Sequence, residues 1–296
     1  MGLRPIYHRI HQACGRKAVE CLGKLAPVYF GSKLRNPIFI VGCGRSGTTL
    51  LVNLLRRHKD CSVFPGEAPN LWHPAGAYRT GTRSGDALPP FWVKPREFAR
   101  VSLERRSARH GKYIRGVFGA CKYLKGNECF VHKSTLLVFI MPYVLQWFPE
   151  ARFVHLVRDG RAVAFSWAKR AAAAVERAPS AYETYGIDGE PQQLRRICGA
   201  TWRKHIEEMD KLDAGCALQN RGRLFECSYE QLCRAPSLVL QSFAEFADLD
   251  KSRFELGDLS YIRSMNYKYR EALSHQEIHE LNALMAPALI AKGYAL

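Results

Sequence analysis

The chain has 296 residues, 47% of them hydrophobic, which allows one or two globular domains and excludes a largely disordered chain. Its 44 Lys and Arg residues outnumber 27 Asp and Glu residues, giving a net charge of +17. Such a surface attracts anions: nucleic acid, an anionic membrane, an acidic polymer or a phosphorylated cofactor. No apolar run approaches the roughly 18 residues of a membrane-spanning helix, so no transmembrane segment is predicted.

The first 35 residues are basic and carry only short apolar patches. They lack the continuous apolar core of a secretory signal, so residues 1–35 are predicted to form a basic helical extension. Residues 36–296 are predicted to form a single domain. The ten cysteines include no C-x-x-C pair, which argues against a zinc site or a thioredoxin-type motif.

Three apolar runs predict buried strands, each followed by a helical pattern. They lie within Asn36–Gly42, Ala151–Asp159 and Arg223–Glu230, and Pro236 is predicted to open the main part of the last of these helices. Strands that alternate with helices indicate an α/β fold, a parallel sheet between two layers of helices. Two segments rich in Pro and Gly, residues 67–94 and 178–191, are either functional loops or plain surface loops.

The stretch "FIVGCGRSGTTLL" (Phe39–Leu51) joins a strand to a helix through a glycine turn. Gly42 and Gly47 have the spacing of the Walker A phosphate loop, G-x-x-x-x-G-K-[ST], but Thr48 stands where that loop has its lysine. The N–H groups and dipole at the helix start still favour an anion, and Arg45 supplies a cation within the loop. This pattern predicts a bound phosphate that carries another group, without magnesium.

The loop "PIFIVGCGRSGTT" resembles the 5′-phosphosulfate loop of sulfotransferases that use 3′-phosphoadenosine-5′-phosphosulfate (PAPS). The resemblance implies the P-loop NTPase-like fold of that family, three layers with a central parallel sheet, and PAPS as the cofactor with no metal. It also implies that five consecutive loop residues bind the cofactor: Arg45, Ser46, Gly47, Thr48 and Thr49.

A second motif supports the same family. The stretch "FVHLVRDGRAVAFSW" resembles the family's 3′-phosphate site, in which a serine follows the arginine at a strand end by eight residues; here these are Arg158 and Ser166. Arg158 leaves the end of the strand, and Ser166 lies about two turns into the next helix. Both side chains can therefore reach one phosphate, to which an arginine gives a charge-assisted contact.

The resemblance extends over roughly residues 36–294. The stretch "YEQLCRAPSLVLQSFAEFADLD" is similar to a family helix, which implies that Tyr229 contacts the adenine. The stretch "YKYREALSHQEI" resembles the segment that closes over the cofactor and implies Lys268 as a phosphate contact, although it departs from the R-K-G-x-x-G motif of the cytosolic branch. The whole pattern is most similar to the tyrosylprotein and Golgi-type branch and to related bacterial sulfotransferases.

Sulfuryl transfer to a hydroxyl needs a base on the acceptor oxygen and positive charge at the bridging oxygen of the donor. In the tyrosylprotein branch a glutamate follows a glycine after the first helix, and Glu67 in "PGEAPN" matches it. The resemblance implies Glu67 as the catalytic base, with Arg45 and Lys133 as catalytic cations. His73 and His132 are the alternative bases, because the cytosolic branch uses histidine.

The resemblance thus implies in-line transfer of a sulfuryl group from PAPS to a hydroxyl of a peptide tyrosine, a glycan or a small molecule. A P-loop kinase is the alternative enzyme, but Thr48 replaces its lysine and the strand "FVHLV" runs into an arginine instead of a Walker B acid.

A nucleic-acid-binding protein also fits the charge. No zinc-finger, RNP or helix-turn-helix signal supports it, so no nucleic-acid partner is predicted. A Golgi member of the family usually carries an N-terminal membrane anchor, and no such segment is predicted here. A cytoplasmic enzyme is therefore expected, with the Golgi lumen and a peripheral membrane location as alternatives. The acceptor and the oligomeric state are left open by the sequence.

Overall fold

The structure is a computed structural model that describes residues 15, 17–72, 95, 108–177, 179–183 and 185–296. Within these residues five strands form one parallel sheet in the order β2-β3-β1-β4-β5. The strands are β1 (Ile38–Val41), β2 (Cys61–Val63), β3 (Cys129–Lys133), β4 (Arg152–Val157) and β5 (Leu224–Ser228).

Helices cover both faces of the sheet, which confirms the predicted α/β fold. Residues 17–25 are helical. The helices that follow are α1 (Pro27–Lys33), α2 (Thr48–Leu55), α3 (Pro69–Trp72), α4 (Ala108–Lys125), α5 (Met141–Trp147), α6 (Gly160–Arg177), α7 (Ser180–Glu183), α8 (Pro191–Cys216), α9 (Tyr229–Arg234), α10 (Pro236–Phe246), α11 (Tyr267–Ala272) and α12 (His275–Ala291). Two short 3₁₀ helices are Leu137–Ile140 and Lys251–Arg253.

The central strands β1 and β4 are largely apolar because helices bury both of their faces. Phe39 and Phe153 stack on one face, in a cluster that includes Phe118 of α4. Ile40 and Val154 belong to a second cluster on the other face, together with the apolar residues of α2. This packing holds the carboxyl ends of β1 and β4 side by side, so the loops after these strands are neighbours.

The three strands predicted from the sequence are present as β1, β4 and β5, and Pro236 is the first residue of α10. The sequence does not predict β2, because a strand of three residues is too short to show a period. Of the predicted loop 67–94 only residues 67–72 are described, and they contain α3; the remainder lies outside the described residues. The predicted loop 178–191 contains the short helix α7.

The last part of the predicted N-terminal extension packs on the domain. Phe30 and Leu34 are buried, and α1 lies against α4. A Cβ at Gly119 would lie 1.8 Å from the carbonyl oxygen of Phe30, so α4 approaches α1 this closely only with glycine there. The domain boundary at residue 35 stays a prediction. None of the helices in the described ranges combines the length and apolar character needed to cross a membrane.

Candidate active site

The loop between β1 and α2, residues 42–47, requires glycine at both ends. Gly42 has a φ of 146° and Gly47 a φ of 93°, values that other residues rarely adopt. A Cβ at Gly42 would lie 2.5 Å from the carbonyl oxygen of Leu156, and one at Gly47 would lie 2.5 Å from Cδ2 of Tyr229. The loop therefore lies closely against β4 on one side and against the start of α9 on the other.

This loop offers hydrogen-bond donors at the start of α2. Gly47 is the N-cap and provides no side-chain hydrogen bond to the first N–H groups of the helix. Ser46 and Thr48 are buried, and Ser46 Oγ has no hydrogen-bond partner among the described residues. A buried hydroxyl without a partner is unfavourable, so the loop fits a ligand with acceptor oxygens, such as a phosphate. Thr49 is exposed beside them.

The two predicted phosphate motifs meet at Arg158. This residue follows β4 directly, and its guanidinium donates a 2.8 Å hydrogen bond from Nη1 to the carbonyl oxygen of Arg45. Arg158 Nε donates to Asn266 Oδ1 at 2.9 Å, and the guanidinium lies 4.3 Å from the ring centroid of Tyr229. Burial lowers the pKa of Arg158, but an arginine remains charged in any physiological environment. Arg45 Nε in turn donates to Ser166 Oγ on α6 at 3.1 Å.

A cavity of about 590 Å³ opens beside this junction. Ser166 and Phe165 contribute to its wall from α6, and Met265 and Tyr269 from the C-terminal segment. Of the described residues, none that lines it is a carboxylate. The lining does include six cations: Arg45, Arg158, Lys169, Arg170, Arg177 and Lys268. A cavity with this lining favours a ligand that carries several negative charges.

Glu67 and Lys133 meet on the other side of the loop. Lys133 ends β3 and lies opposite Ile40 of β1, so it is placed at the carboxyl edge of the sheet, next to the loop after β1. Its Nζ forms an ion pair with Glu67 Oε1, and Thr135 Oγ1 donates to Glu67 Oε2 at 3.3 Å. The carboxylate is partly exposed, whereas the lysine is mostly buried. A fixed, charged carboxylate can accept a proton from a group that enters from solvent.

His132, one of the alternative bases, lies in the core instead. Neighbouring residues of a strand point to opposite faces, so His132 points away from the side chain of Lys133. It is fully buried among aromatic rings such as Phe64 and Phe118. Its Nε2 accepts a 2.9 Å hydrogen bond from Trp72 Nε1. These contacts give His132 a role in packing. His73, the other alternative base, lies outside the described residues.

A profile of the Sulfotransferase family matches residues 37–253. The chain belongs to the Sulfotransferase family. The resemblance found in the sequence is thereby confirmed. In structure, this member is similar to sulfotransferase STF9 from Mycobacterium avium, with a TM-score of 0.57 and 16% identity over 88% of this chain and 78% of that one. At this identity the likeness shows the fold.

Two curated relatives of this sulfotransferase-family chain are protein-tyrosine sulfotransferases. The chain is 28% identical over 232 residues to protein-tyrosine sulfotransferase 2 of Gallus gallus, covering 76% of this chain and 54% of that protein. It is 27% identical over 214 residues to protein-tyrosine sulfotransferase of Drosophila melanogaster, covering 72% of this chain and 38% of that protein. The alignments therefore span about half or less of the length of these relatives.

Sequence reasoning missed a carboxylate that connects the C-terminal segment of this sulfotransferase-family chain to Arg158 in the predicted 3′-phosphate motif. Glu230 Oε1 accepts hydrogen bonds from Asp159 N at 3.1 Å and from Asn266 Nδ2 at 2.6 Å. Glu230 Oε2 accepts one from the hydroxyl of Tyr294 at 2.9 Å. Asn266 holds Arg158 through its other amide atom. Only the adjacent "YE" of the family pattern hints at this role in the sequence.

A buried ion pair reinforces the same region. Arg161 donates to both carboxylate oxygens of Asp159, at 2.9 and 3.0 Å, and the Tyr269 hydroxyl donates to Asp159 at 3.1 Å. Lys268 lies just before Tyr269 in α11, so this anchor keeps the predicted phosphate contact at the cavity. The sequence also missed three cavity cations of α6: Lys169, Arg170 and Arg177.

Tyr229 is buried behind the junction. Its ring contacts Gly47 and Arg158, and its hydroxyl accepts a 3.2 Å hydrogen bond from Met265 N. Burial raises the pKa of Tyr229. In these contacts Tyr229 supports the loop and the arginine. Its predicted contact with adenine stays a prediction.

Proposed function

We propose that the chain transfers the sulfuryl group of PAPS to an acceptor hydroxyl. One observation carries this proposal: Arg158 joins the loop after β1 to the wall of a cavity whose lining, among the described residues, has six cations and no carboxylate. Glu67 lies at the same edge of the sheet, paired with Lys133. Membership of the Sulfotransferase family and the two tyrosine-sulfotransferase relatives support the reaction class.

The residues present fit the donor nucleotide. The N–H groups at the start of α2 and the unpartnered Ser46 Oγ suit a 5′-phosphosulfate. Arg158 and Ser166 would hold the 3′-phosphate, with Lys268 facing the cavity from α11. When bound, PAPS supplies an activated sulfuryl group whose leaving group is adenosine 3′,5′-bisphosphate.

The chain's own residues then supply proton transfer and charge. Glu67 takes the proton from the acceptor hydroxyl, and Lys133 and Thr135 fix the orientation of its carboxylate. Arg45 is bonded to Ser166, on the 3′ side of the site. Because Arg45 is exposed, its guanidinium is able to turn towards the 5′ side, where positive charge stabilises the leaving group.

A peptide tyrosine is the acceptor class that we propose first. The relatives in Gallus gallus and Drosophila melanogaster carry the name protein-tyrosine sulfotransferase, and this supports the choice. Glycan and small-molecule hydroxyls are the other acceptor classes. A cytoplasmic location and independence of metal ions are further parts of the proposal.

The deciding experiment measures labelled sulfate transfer from PAPS to tyrosine peptides, polysaccharides and small alcohols, with Glu67→Gln as the control. Calorimetry in the presence of a chelator measures the binding of adenosine 3′,5′-bisphosphate. We expect one-to-one binding that the chelator does not change. Tighter binding of ATP with magnesium, or loss of binding on chelation, would contradict the proposed function and favour a P-loop kinase.

A further inference from the structure

An exposed apolar surface lies where α1 crosses α4. Five exposed apolar side chains belong to this region, and we call them the α1–α4 patch: Leu25 at the end of the helix of residues 17–25, Val28 and Tyr29 of α1, and Tyr123 and Leu124 of α4. They are exposed by 76%, 74%, 50%, 51% and 55%, in that order. The rings of Tyr29 and Tyr123 meet edge to face, with centroids 6.1 Å apart, so the contributions of the two helices are continuous.

The patch is the outer face of a well-packed helix pair. Phe30 and Leu34 on the inner side of this segment are buried, and the close approach at Gly119 leaves no space between the helices. The exposed residues are therefore not required for the fold of the pair. Contiguous exposed apolar side chains are uncommon on soluble domains and mark interaction surfaces.

Cations surround the patch. Lys24, Lys33 and Arg35 are exposed along the first helices, and Lys33 Nζ lies 5.0 Å from the ring centroid of Tyr29. Lys122 on α4 is partly buried near Arg35, and burial lowers its pKa, with a smaller contribution from that arginine. Within residues 17–35, which the structure describes, one acid, Glu20, stands against four basic residues: Lys17, Lys24, Lys33 and Arg35.

The patch and the cavity lie towards opposite edges of the sheet. α1 ends at Lys33, shortly before β1 begins at Ile38, and α4 ends at Lys125, shortly before β3 begins at Cys129. These short connections place the ends of both helices near the amino edge of the sheet. The loop of residues 42–47 follows the carboxyl end of β1. A partner bound at the patch therefore leaves the cavity accessible.

We propose that the α1–α4 patch docks the protein on the surface of an anionic membrane. Tyrosine suits the membrane–water interface because its ring is apolar and its hydroxyl is polar. Exposed Leu and Val side chains can enter the acyl boundary, while the surrounding lysines and Arg35 contact anionic headgroups. A second copy of the chain is a poorer occupant, because two patches face to face would bring like charges together. Nucleic acid would match the cations but leave the aliphatic side chains unused.

Vesicle co-sedimentation of the full chain tests the apolar part of the proposal. We expect binding to vesicles of phosphatidylcholine with phosphatidylserine and little binding to phosphatidylcholine alone. Val28→Ser with Leu124→Ser should reduce the partition coefficient about tenfold or more. Leu238→Ser with Ile290→Ser is the matched control, because these side chains are 64% and 61% exposed outside the patch, and it should bind like the native chain.

The charge part has its own pair of variants. Lys24→Gln with Lys33→Gln should weaken binding to anionic vesicles, since each cation near such a surface contributes about fivefold. Lys211→Gln with Lys251→Gln removes the same charge elsewhere and should have a smaller effect. Binding should also fall as salt is raised.

Several results would overturn the proposal. They are failure of the native chain to bind anionic vesicles, equal binding to phosphatidylcholine alone, and equal losses in the patch and control variants. Sedimentation velocity tests whether a second copy of the chain occupies the patch instead. If the native chain is a dimer and the patch variant is a monomer, the patch is a contact between copies. Circular dichroism of each variant shows whether the fold is retained. These readouts are independent of sulfuryl transfer.

Discussion

Arg45 Nε donates a hydrogen bond of 3.1 Å to Ser166 Oγ across 121 positions of the sequence. Arg158 completes this junction by donating to the carbonyl oxygen of Arg45. Arg45 has a φ of 73°, a conformation that is unfavourable outside glycine and persists where surrounding contacts enforce it. The 5′ and 3′ phosphate sites proposed here are therefore adjacent parts of one connected structure.

Replacing Arg158 tests the 3′ site. Arg158→Ala should weaken the binding of adenosine 3′,5′-bisphosphate about tenfold or more, because a charge-assisted hydrogen bond contributes about 1.5–3 kcal/mol. Adenosine 5′-monophosphate lacks the 3′-phosphate, so its affinity should change much less. Ser166→Ala should have a smaller effect than Arg158→Ala. Calorimetry with both nucleotides makes the measurement.

Arg253→Ala is the control for the arginine variant, because Arg253 pairs with Asp60 at the surface. It should leave both affinities unchanged. If Arg158→Ala binds the bisphosphate as well as the native chain does, the 3′-phosphate site lies elsewhere. An equal loss for both nucleotides would point instead to general damage to the fold.

Replacing Glu230 tests how the C-terminal segment positions Arg158. Glu230→Gln keeps the size of the side chain. It places an amide opposite three donors that face a carboxylate in the native protein. We expect the dissociation constant of adenosine 3′,5′-bisphosphate to rise about tenfold. In the double variant with Asn266→Ala, the losses of binding free energy should be less than additive. The coupling energy should be about 1 kcal/mol, because both residues act through Arg158.

Glu271→Gln changes an exposed carboxylate in the same C-terminal segment and serves as the control for Glu230. It should not change nucleotide affinity. If Glu230 has a merely structural role, Glu230→Gln should lower stability and weaken the binding of the bisphosphate and of adenosine 5′-monophosphate alike. A positioning role predicts the larger loss for the bisphosphate.

The strand–turn–helix segments that carry the two predicted phosphate motifs could be recognised from the sequence because each is local. The loop after β1 and the pair Arg158 and Ser166 lie in continuous strand–turn–helix stretches, where spacing alone brings the side chains together. Asn266 and Tyr294 reach Glu230 from 36 and 64 positions away, so only the tertiary fold unites them. Local hydrophobic periodicity does not predict such long-range contacts.

The placement of His132, the alternative base, shows a second limit of sequence reasoning. His132 and Lys133 are adjacent, and strand geometry requires them to point to opposite faces. Which face meets the core depends on the helices that pack there. Trp72 and Phe118 supply that packing from α3 and α4, which the sequence did not connect with β3.

A partly exposed carboxylate outside the site should contribute to stability in acid. Burial raises the pKa of Glu226, but hydrogen bonds and charge from His155 and then Lys292 outweigh it and lower the pKa from 4.5 to about 2. A carboxylate with a lowered folded pKa stabilises the fold above its unfolded pKa, and this contribution is lost as pH falls through the folded value. Glu226→Gln should therefore be less stable than the native chain at pH 7.

Urea unfolding measured from neutral pH downwards checks this prediction. The difference in unfolding free energy between the native chain and Glu226→Gln should shrink as pH falls from 4.5 towards about 2. His205, whose pKa is lowered by burial to about 4, also affects acid stability, but it is present in both proteins and cancels in the difference. A difference that does not depend on pH would show that Glu226 contributes by packing alone.

The role of Glu67 as base gives the most direct test of the proposed chemistry. Glu67→Gln keeps the shape of the side chain and removes the proton acceptor, so turnover should fall by roughly 10²–10⁴. Affinity for adenosine 3′,5′-bisphosphate should barely change, because Glu67 is not part of the cavity lining.

Glu255→Gln is a matched control for Glu67→Gln, since Glu255 also pairs with a lysine, Lys59, but on the exposed surface. It should retain full turnover. His132→Ala should lower stability by removing a fully buried ring, which thermal unfolding measures separately from turnover. Near-native turnover of Glu67→Gln, together with loss of turnover in His73→Ala at unchanged stability, would assign the base to histidine and reject the carboxylate mechanism.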